Sequence, residues 1–329
     1  MKAARITSPG NVEVLEVSDP PVTERDVLVM VHASGICGTD VHIFRGDYMG
    51  SYPIIPGHEF AGVVEAVGSS VSRIKVGDRV AIEPNVACDN CHACLNNRQN
   101  FCENWNGIGV TLPGGMAELV AVPEKAVFDI GDLPFPIAAF VEPLACVLHG
   151  VDRARFRLGD RVLVVGAGPI GILLTKTILL QGAFEITQVD KNENRLALAR
   201  ESGAVHVLAS VDSVEEEAFD VVVDATGVPA LMERTVGYAR YGGTILLFGV
   251  PPQKSTVTFP AFPIFRKGLT ILSSFTSVRN SVQAVRLLSG GAIDVSSLVS
   301  HTLPLDDLRA GLNLMETGSD GALKVQIAP

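Results

Sequence analysis

No segment of this chain concentrates Lys and Arg, and its formal net charge is -10. Phosphate backbones are gripped by clustered cations, so a nucleic-acid partner is not expected and a small molecule is. Long apolar runs are missing too. The N-terminus MKAARITSPGNVEVLEV lacks the uninterrupted core of a signal peptide, and no stretch approaches the roughly 20 apolar residues that cross a bilayer. A cytoplasmic protein with no membrane partner is the expectation. There is no internal repeat and no low-complexity tract. Cysteine is scarce, six in 329 residues. Disulfides are rare in a reducing compartment, so cysteines at short fixed spacing are expected to be metal ligands. Against these absences stand 47% hydrophobic residues and 32 glycines, enough for two domains with sizeable cores and many tight turns.

Four of the six cysteines fall in CDNCHACLNNRQNFC. Cys88, Cys91 and Cys94 recur every third residue in an Asn-rich loop, and Cys102 follows after a longer excursion. That spacing lets four thiolates converge tetrahedrally on one ion, for which zinc fits best. A core segment would be more apolar, and a redox CxxC would sit in a βαβ context that is missing here. Four thiolates leave no open coordination position, so this lobe, about residues 85–105, is expected to be structural.

The texture of the sequence divides near residue 150. From Met1 to about Val151 short alternating stretches such as DVLVMVHASG, AGVVEAVG, VGDRVAI and GGMAELVAVP are punctuated by glycine, which predicts an irregular β-rich domain. Next come RVLVVGAGPIG, EITQVD, AVHVLA, DVVVDATG, TILLFGV and LTILSS, apolar runs of the length of buried parallel strands. Between them ILLTKTILLQG, NRLALARESG and PALMERTVGYARYG read as helices. Six strands with intervening helices predict a doubly wound α/β sheet. From about Val278 to Pro329, helices are expected around NSVQAVRLLSGG and DDLRAGLNLMETG, with LKVQIA as a closing strand.

The first strand of the parallel half runs into Gly166-Ala167-Gly168-Pro169-Ile170-Gly171, and the second ends at Asp190. A strand, a GxGxxG turn, an apolar helix and an acidic residue about 20 positions on form a dinucleotide fingerprint. The glycines admit a pyrophosphate to the backbone and the helix N-terminus. Asp190 would accept bonds from the adenosine ribose and repel a 2'-phosphate, which favours NAD. Lys191 and Arg195 pull the other way, since cations beside the ribose can accommodate a phosphate.

Two shorter motifs lie in the first half: GICGTDVHIF, with Cys37, and IIPGHEFAG, with His58 and Glu59. Taken singly, Cys37 reads first as a buried hydrophobe, and His58 and Glu59 as one inward and one outward residue. Their order along the chain says more. Cys37-Gly38-Thr39-Asp40 with His42, Gly57-His58-Glu59, the four-cysteine lobe, Glu142-Pro143-Leu144, GAGPIG and Asp190 together resemble the zinc-dependent medium-chain dehydrogenase/reductase superfamily. The likeness spans essentially the whole chain. GHEF, EPLA and CGTDVH are most similar to its polyol dehydrogenase branch, which includes sorbitol and xylitol dehydrogenases.

The resemblance implies a GroES-like catalytic domain over 1–150, a Rossmann domain over 151–277, and a C-terminal segment, 278–329, that returns to the catalytic domain. It implies two zinc ions and NAD. Cys37, His58 and Glu59 would hold a catalytic zinc whose fourth position is open, and Cys88, Cys91, Cys94 and Cys102 a structural one. Glu142 stands where alcohol dehydrogenases carry a cysteine ligand. Three roles are open to it: direct ligand, alternate to Glu59, or orienting group for bound water. Cys146, one helical turn on, is expected to be a buried thiol. Asp40 would fix the tautomer of His58. The implied reaction is reversible oxidation of a secondary hydroxyl of a polyol such as sorbitol, xylitol or galactitol to the ketose, with hydride passing from a zinc-bound alkoxide to nicotinamide. Thr39 and His42 would carry the proton out by way of the nicotinamide ribose, and Phe248, Gly249, Val250, Ser274 and Phe275 would line the nicotinamide pocket. Substrate contacts are sought at Phe44, Tyr52, Trp105 and Ile108, with Glu142, Arg279 and Lys324 as polar partners. Pairing through TILLFGV and LTILSS, taken as edge strands, implies a homo-oligomer, a tetramer before a dimer. The alternatives are L-threonine 3-dehydrogenase, 2,3-butanediol dehydrogenase, an NADPH-dependent aldehyde reductase and a catalytically inactive nucleotide-binding protein.

Overall fold

Alternation of apolar and polar residues shapes the first half of the chain. In the computed structural model, which describes residues 1–329, the N-terminal hairpin is β1 (Lys2–Ser8) and β2 (Asn11–Glu16). β3 (Asp26–Gly35) follows, burying Val27, Val29 and Val31 while the residues between stay half exposed. Helix α1 (Gly38–Arg45), strands β4 (Glu59–Val67), β5 (Arg79–Ile82) and β6 (Asn85–Val86), and the short helix α2 (His92–Leu95) come next. They are followed by β7 (Asn106–Gly107), β8 (Leu119–Pro123), β9 (Val127–Asp129) and helices α3 (Phe135–Ala138) and α4 (Val141–Ala154).

The second half has the runs buried on both faces that a parallel sheet needs. β10 (Arg161–Val165), α5 (Pro169–Leu180), β11 (Glu185–Val189), α6 (Glu193–Glu201), β12 (His206–Leu208), β13 (Phe219–Asp224), α7 (Pro229–Tyr238), β14 (Ala239–Leu247), α8 (Ala261–Lys267) and β15 (Thr270–Ser273) alternate along the chain. The six strands are all parallel, in the order β12-β11-β10-β13-β14-β15. This is the doubly wound order, with its reversal between β10 and β13. Two expectations are corrected here. TILLFGV lies in β14, between β13 and β15, and is interior; of the two proposed edge strands only β15 is one. The expected helix PALMERTVGYARYG ends at Tyr238, because Ala239 already pairs with Phe219.

The last segment supplies α9 (Ser281–Ser289), β16 (Val299–Pro304), α10 (Leu308–Thr317) and β17 (Lys324–Ala328), matching the two helices and closing strand read from the sequence. β16 was not foreseen. β16 and β17 complete a sheet in the order β16-β17-β3-β4-β5-β9, with β8 also on β3. Contacts divide the chain into one unit of Met1–Ala145 with Ser277–Pro329 and another of Cys146–Thr276. The first crossing therefore falls inside α4, at Ala145 and not at 150. At the second, the buried Glu83 carboxylate accepts the Ser277 hydroxyl at 2.9 and 2.8 Å and the Ser281 hydroxyl at 2.5 Å, fastening the returning chain to the end of β5. The helical stretch Phe135–Ala154 also corrects the search for apolar runs. It has the length and hydropathy of a membrane span, and 67% of that window is buried within the protein, as in a core helix.

Candidate metal centres and cofactor site

β3 delivers Cys37 to the start of α1, where it is the N-cap residue with extended backbone. Asp40, three residues on, accepts the Cys37 N–H at 2.8 Å through Oδ2 and the Gly57 N–H at 3.2 Å through Oδ1. A carboxylate with no solvent exposure thus ties the helix of Cys37 to the loop of His58. His58 precedes β4 and Glu59 opens it, and the β3–β4 register sets Glu59 opposite Gly35. Glycine leaves room for the carboxylate, since a Cβ there would stand 2.3 Å from Glu59 Oε2 and displace it. Donor atoms of Cys37, His58 and Glu59 all lie within 4.8 Å of one another.

The expected hydrogen bond from His58 to Asp40 is not formed. Nδ1 is 3.5 Å from Oδ1, a close charge contact, and has no hydrogen-bond partner. Asp40 acts on the ring through its charge. Burial opposes the imidazolium, but Asp40 and the Cys37 sulfur outweigh it and hold the His58 pKa well above the ordinary value. Glu59 is met by a cation that sequence reasoning placed only among possible substrate partners. Lys324 Nζ, on β17, lies 2.9 and 2.6 Å from the two carboxylate oxygens and donates to the Ile36 carbonyl at 3.3 Å. Both side chains are almost fully buried, at 4% and 2% exposure. Burial lowers the lysine, and Glu59, Cys37 and Glu142 more than offset that, so its pKa is raised. The donor set of thiol, imidazole and carboxylate suits a divalent ion with one position left open. Glu142, at the second position of α4, is buried but outside the group of three close donors.

In the lobe the four sulfurs form a second such group, again within 4.8 Å. Backbone N–H groups of Cys88 and Asn104 point at Cys102 Sγ, at 3.2 and 3.3 Å. The Asn90 N–H, opposed by burial and helped by Cys102, lowers the Cys88 thiol to about 6, and the Cys94 and Glu103 N–H groups lower Cys91. Burial and the neighbouring sulfurs push Cys94 up to about 12. Four sulfurs this close suit a cation that would keep them all ionised, and a closed tetrathiolate zinc fits. Cys146 belongs to neither group.

In the parallel unit the three fingerprint glycines do different work. Gly166 has φ +107, and a Cβ there would meet Thr226 at 3.0 Å. Gly168 caps α5 with nothing within 4 Å of a would-be Cβ, which leaves its backbone open to a phosphate, and Pro169 starts the helix. At Gly171 a Cβ would lie 2.1 Å from Gly166 O, so helix and strand pack at backbone distance. Ile170 is half buried behind them. Asp190 comes directly after β11, which ends at Val189, and both its oxygens accept backbone N–H groups, Ala167 at 2.8 Å and Asn192 at 2.9 Å. Lys191 follows it, and the Arg195 N–H is capped by Asn192.

One cofactor-end residue was missed. Asp224, at the carboxyl end of β13, has no solvent exposure and accepts from Thr226 Oγ1 at 2.6 Å and the Gly227 N–H at 3.1 Å. Burial raises its pKa against those bonds. Its carbonyl receives the Phe248 and Gly249 N–H groups, both at 2.9 Å, which places the Phe248-Gly249-Val250 turn beside it. The Ser274 N–H reaches Leu247 O at 3.4 Å, and Ser274 Oγ is buried with no hydrogen-bond partner; Phe275 is next in the chain. These turns cluster at the carboxyl ends of the strands, where open α/β sheets bind ligands. The readable signal was the Asp-Ala-Thr-Gly ending of a buried strand.

Other expected contacts are packing residues here. Phe44 and Ile108 belong to core clusters, Tyr52 OH bonds the Ile43 carbonyl, and Trp105 packs on the cysteine lobe with its indole N–H on Asn85 at 3.0 Å. Arg279 is exposed. Thr39 is in the first turn of α1, and His42, in the second, bonds Asp47 through Nδ1 at 2.7 Å.

The fold and these sites define a two-unit zinc-binding dehydrogenase. Residues 23–134 match the alcohol dehydrogenase GroES-like domain and residues 169–289 the zinc-binding dehydrogenase domain. The D-altritol 5-dehydrogenase of Agrobacterium fabrum is 36% identical, with 94% of each chain covered. An L-threonine 3-dehydrogenase of Bacillus velezensis is 32% identical, covering 95% of this chain and 94% of that one. A structure described as a zinc-binding dehydrogenase from Sinorhizobium meliloti 1021 bound to NADP superposes with a TM-score of 0.95 at 34% identity, over 100% of this chain and 99% of that one. This chain belongs to the zinc-dependent medium-chain dehydrogenase/reductase superfamily, in its polyol dehydrogenase branch. It is an alcohol or polyol dehydrogenase that uses zinc and a nicotinamide cofactor on a small alcohol.

Proposed function

We propose that the chain oxidises a secondary hydroxyl of a free sugar alcohol to the ketose with NAD, using one zinc at Cys37, His58 and a glutamate and another at the four-cysteine lobe. The observation that carries the reading is the close group of Cys37, His58 and Glu59, the last two buried, in one chain with a dinucleotide fingerprint. Zinc and nicotinamide, when bound, supply Lewis acidity toward a hydroxyl oxygen and a hydride acceptor. The protein's residues do the rest. Asp40 and Gly35 fix where the donors stand, Lys324 holds Glu59, and the α1 residues Thr39 and His42 receive the hydroxyl proton and pass it to solvent. Because Lys324 takes both Glu59 oxygens, we assign Glu142 as the group that completes or exchanges in the zinc shell. The Asp190 carboxylate, fixed against the glycine turn, supports NAD. A homo-oligomer built through the edge strand β15 and the exposed Phe262 and Phe265 of the adjacent α8 accompanies this reading.

The substrate is tested by following nicotinamide reduction with D-altritol, D-arabinitol, xylitol, sorbitol, galactitol, L-threonine and 2,3-butanediol, each with NAD and with NADP. A polyol is expected to give the highest kcat/KM. If L-threonine exceeded every polyol tenfold, the chain would be a threonine dehydrogenase instead.

A further inference from the structure

We propose that Asp47 is a positioning residue for the reaction, holding His42 in the one tautomer able to accept a proton at Nε2. The inference rests on the reading of His42 as the group that passes the hydroxyl proton to solvent. α1 ends at Gly46, whose left-handed backbone, φ 81, lets its N–H reach the carbonyls of His42 and Ile43 at 3.0 Å each. A side chain at 46 would strike Pro9 at 2.8 Å, so this position needs glycine on both grounds. The reversal brings the next residue back over the helix. The Asp47 N–H bonds the His42 carbonyl at 3.1 Å, and its Oδ1 stands 2.7 Å from His42 Nδ1. Asp47 is thus held to the residue it serves by main chain and side chain at once.

The other charged and titratable groups nearby are committed elsewhere. Arg45 pairs with Glu316 on α10, Arg309 of the same helix lies over Phe44 at 4.5 Å, and the Tyr52 hydroxyl is on the Ile43 carbonyl. The Tyr48 ring is tilted at 6.4 Å from the imidazole. A carboxylate can only accept, so the shared proton sits on Nδ1 and the Nε2 lone pair is left open. The step then balances. Nε2 takes the proton arriving from the substrate hydroxyl, the ring becomes an imidazolium facing the Asp47 carboxylate, and Nε2 returns the proton to solvent. With 17% of the His42 side chain exposed, water can reach the ring.

Nitrogen-15 NMR of histidine-labelled protein at a pH where the rings are neutral tests the positioning directly, with no substrate present. His42 is expected to be protonated at Nδ1 in the natural protein and at Nε2 in Asp47→Ala and Asp47→Asn. In steady state, with the best polyol of the panel, both variants are expected to lose about ten- to hundredfold in kcat, with a larger solvent isotope effect and unchanged zinc content and NAD affinity. Asp47→Glu should restore most of the rate. A natural protein protonated at Nε2, or an Asp47→Ala enzyme at full rate while His42→Gln is slow, would overturn the proposal alone. A His42→Gln enzyme as fast as the natural one would instead overturn the relay reading and the catalytic role of Asp47 with it.

Discussion

The two donor clusters of the first unit are built on opposite plans. The lobe takes all four sulfurs from one loop, Cys88 to Cys102, and its partners are N–H groups of that loop and of Asn104 just after it. The other centre draws Cys37 from a helix cap, His58 from a loop, Glu59 from β4 and Lys324 from the last strand, a partner 265 residues from Glu59. A local cluster can be assembled before the domain folds and adds stability where it stands. A dispersed one exists only once the sheet has closed, so it reports the completed fold and can be rigid enough for chemistry.

Breaking each cluster at one cysteine separates the two plans. Cys37→Ser is expected to cost roughly a thousandfold or more in kcat/KM, because several kcal/mol of charge stabilisation goes with the metal. Its thermal midpoint should stay close to that of the natural protein, since Asp40 bonds the Cys37 backbone and not its sulfur. Cys91→Ser should lose one zinc per chain by metal analysis and several kcal/mol of stability, a fall of roughly 10 °C in Tm. Two zincs retained in a stable Cys91→Ser protein would remove the structural role of the lobe.

The same contrast explains what could be read from the sequence. The lobe and Gly166-Ala167-Gly168-Pro169-Ile170-Gly171 were legible because their chemistry is complete within a dozen or so residues, and spacing alone constrains what they can hold. The six parallel strands were legible as buried apolar runs. Their order was not, and TILLFGV was taken for an edge because lateral order is set by crossovers that leave no local mark. Lys324 could be named but not placed, since its role depends on β17 docking beside β3. Asp40 was assigned to His58 and does lie beside its ring and raise its basicity, but its further bonds to the backbone N–H groups of Cys37 and Gly57 left no mark in the sequence. Phe44, Tyr52, Trp105 and Ile108 have the composition of a pocket and of a core alike.

Lys324→Met sharpens the dispersed centre. Removing one partner of a buried ion pair typically costs about 3–5 kcal/mol, because the other charge is left without compensation. Here the remaining charge, Glu59, faces a site that takes a cation. The loss should be largest in metal-depleted protein and smaller with zinc added, and Lys324→Arg should recover part of it. Calorimetry of each variant with and without zinc makes the comparison. Equal destabilisation in both states would mean that Glu59 does not share the electrostatics of the metal site.

The smallest effect is expected in the other unit, where the cofactor reading rests on Asp190. Both its oxygens are already bonded to N–H groups of the turn and the following loop, so the carboxylate is fixed in place and its charge, more than any free lone pair, would repel a 2'-phosphate. Asp190→Ala removes that charge and leaves Lys191 and Arg195 as the nearest cations in sequence. The natural protein should therefore prefer NAD, and the variant should shift the ratio of kcat/KM toward NADP by about tenfold, or roughly 1.4 kcal/mol, with part of the NAD rate lost as the Ala167 turn loosens. A natural protein that used both cofactors equally would reject the preference. It would also mean that the N–H groups of Ala167 and Asn192 neutralise Asp190 enough for its sign to go unread, as in a chain able to accept the NADP bound by its Sinorhizobium relative.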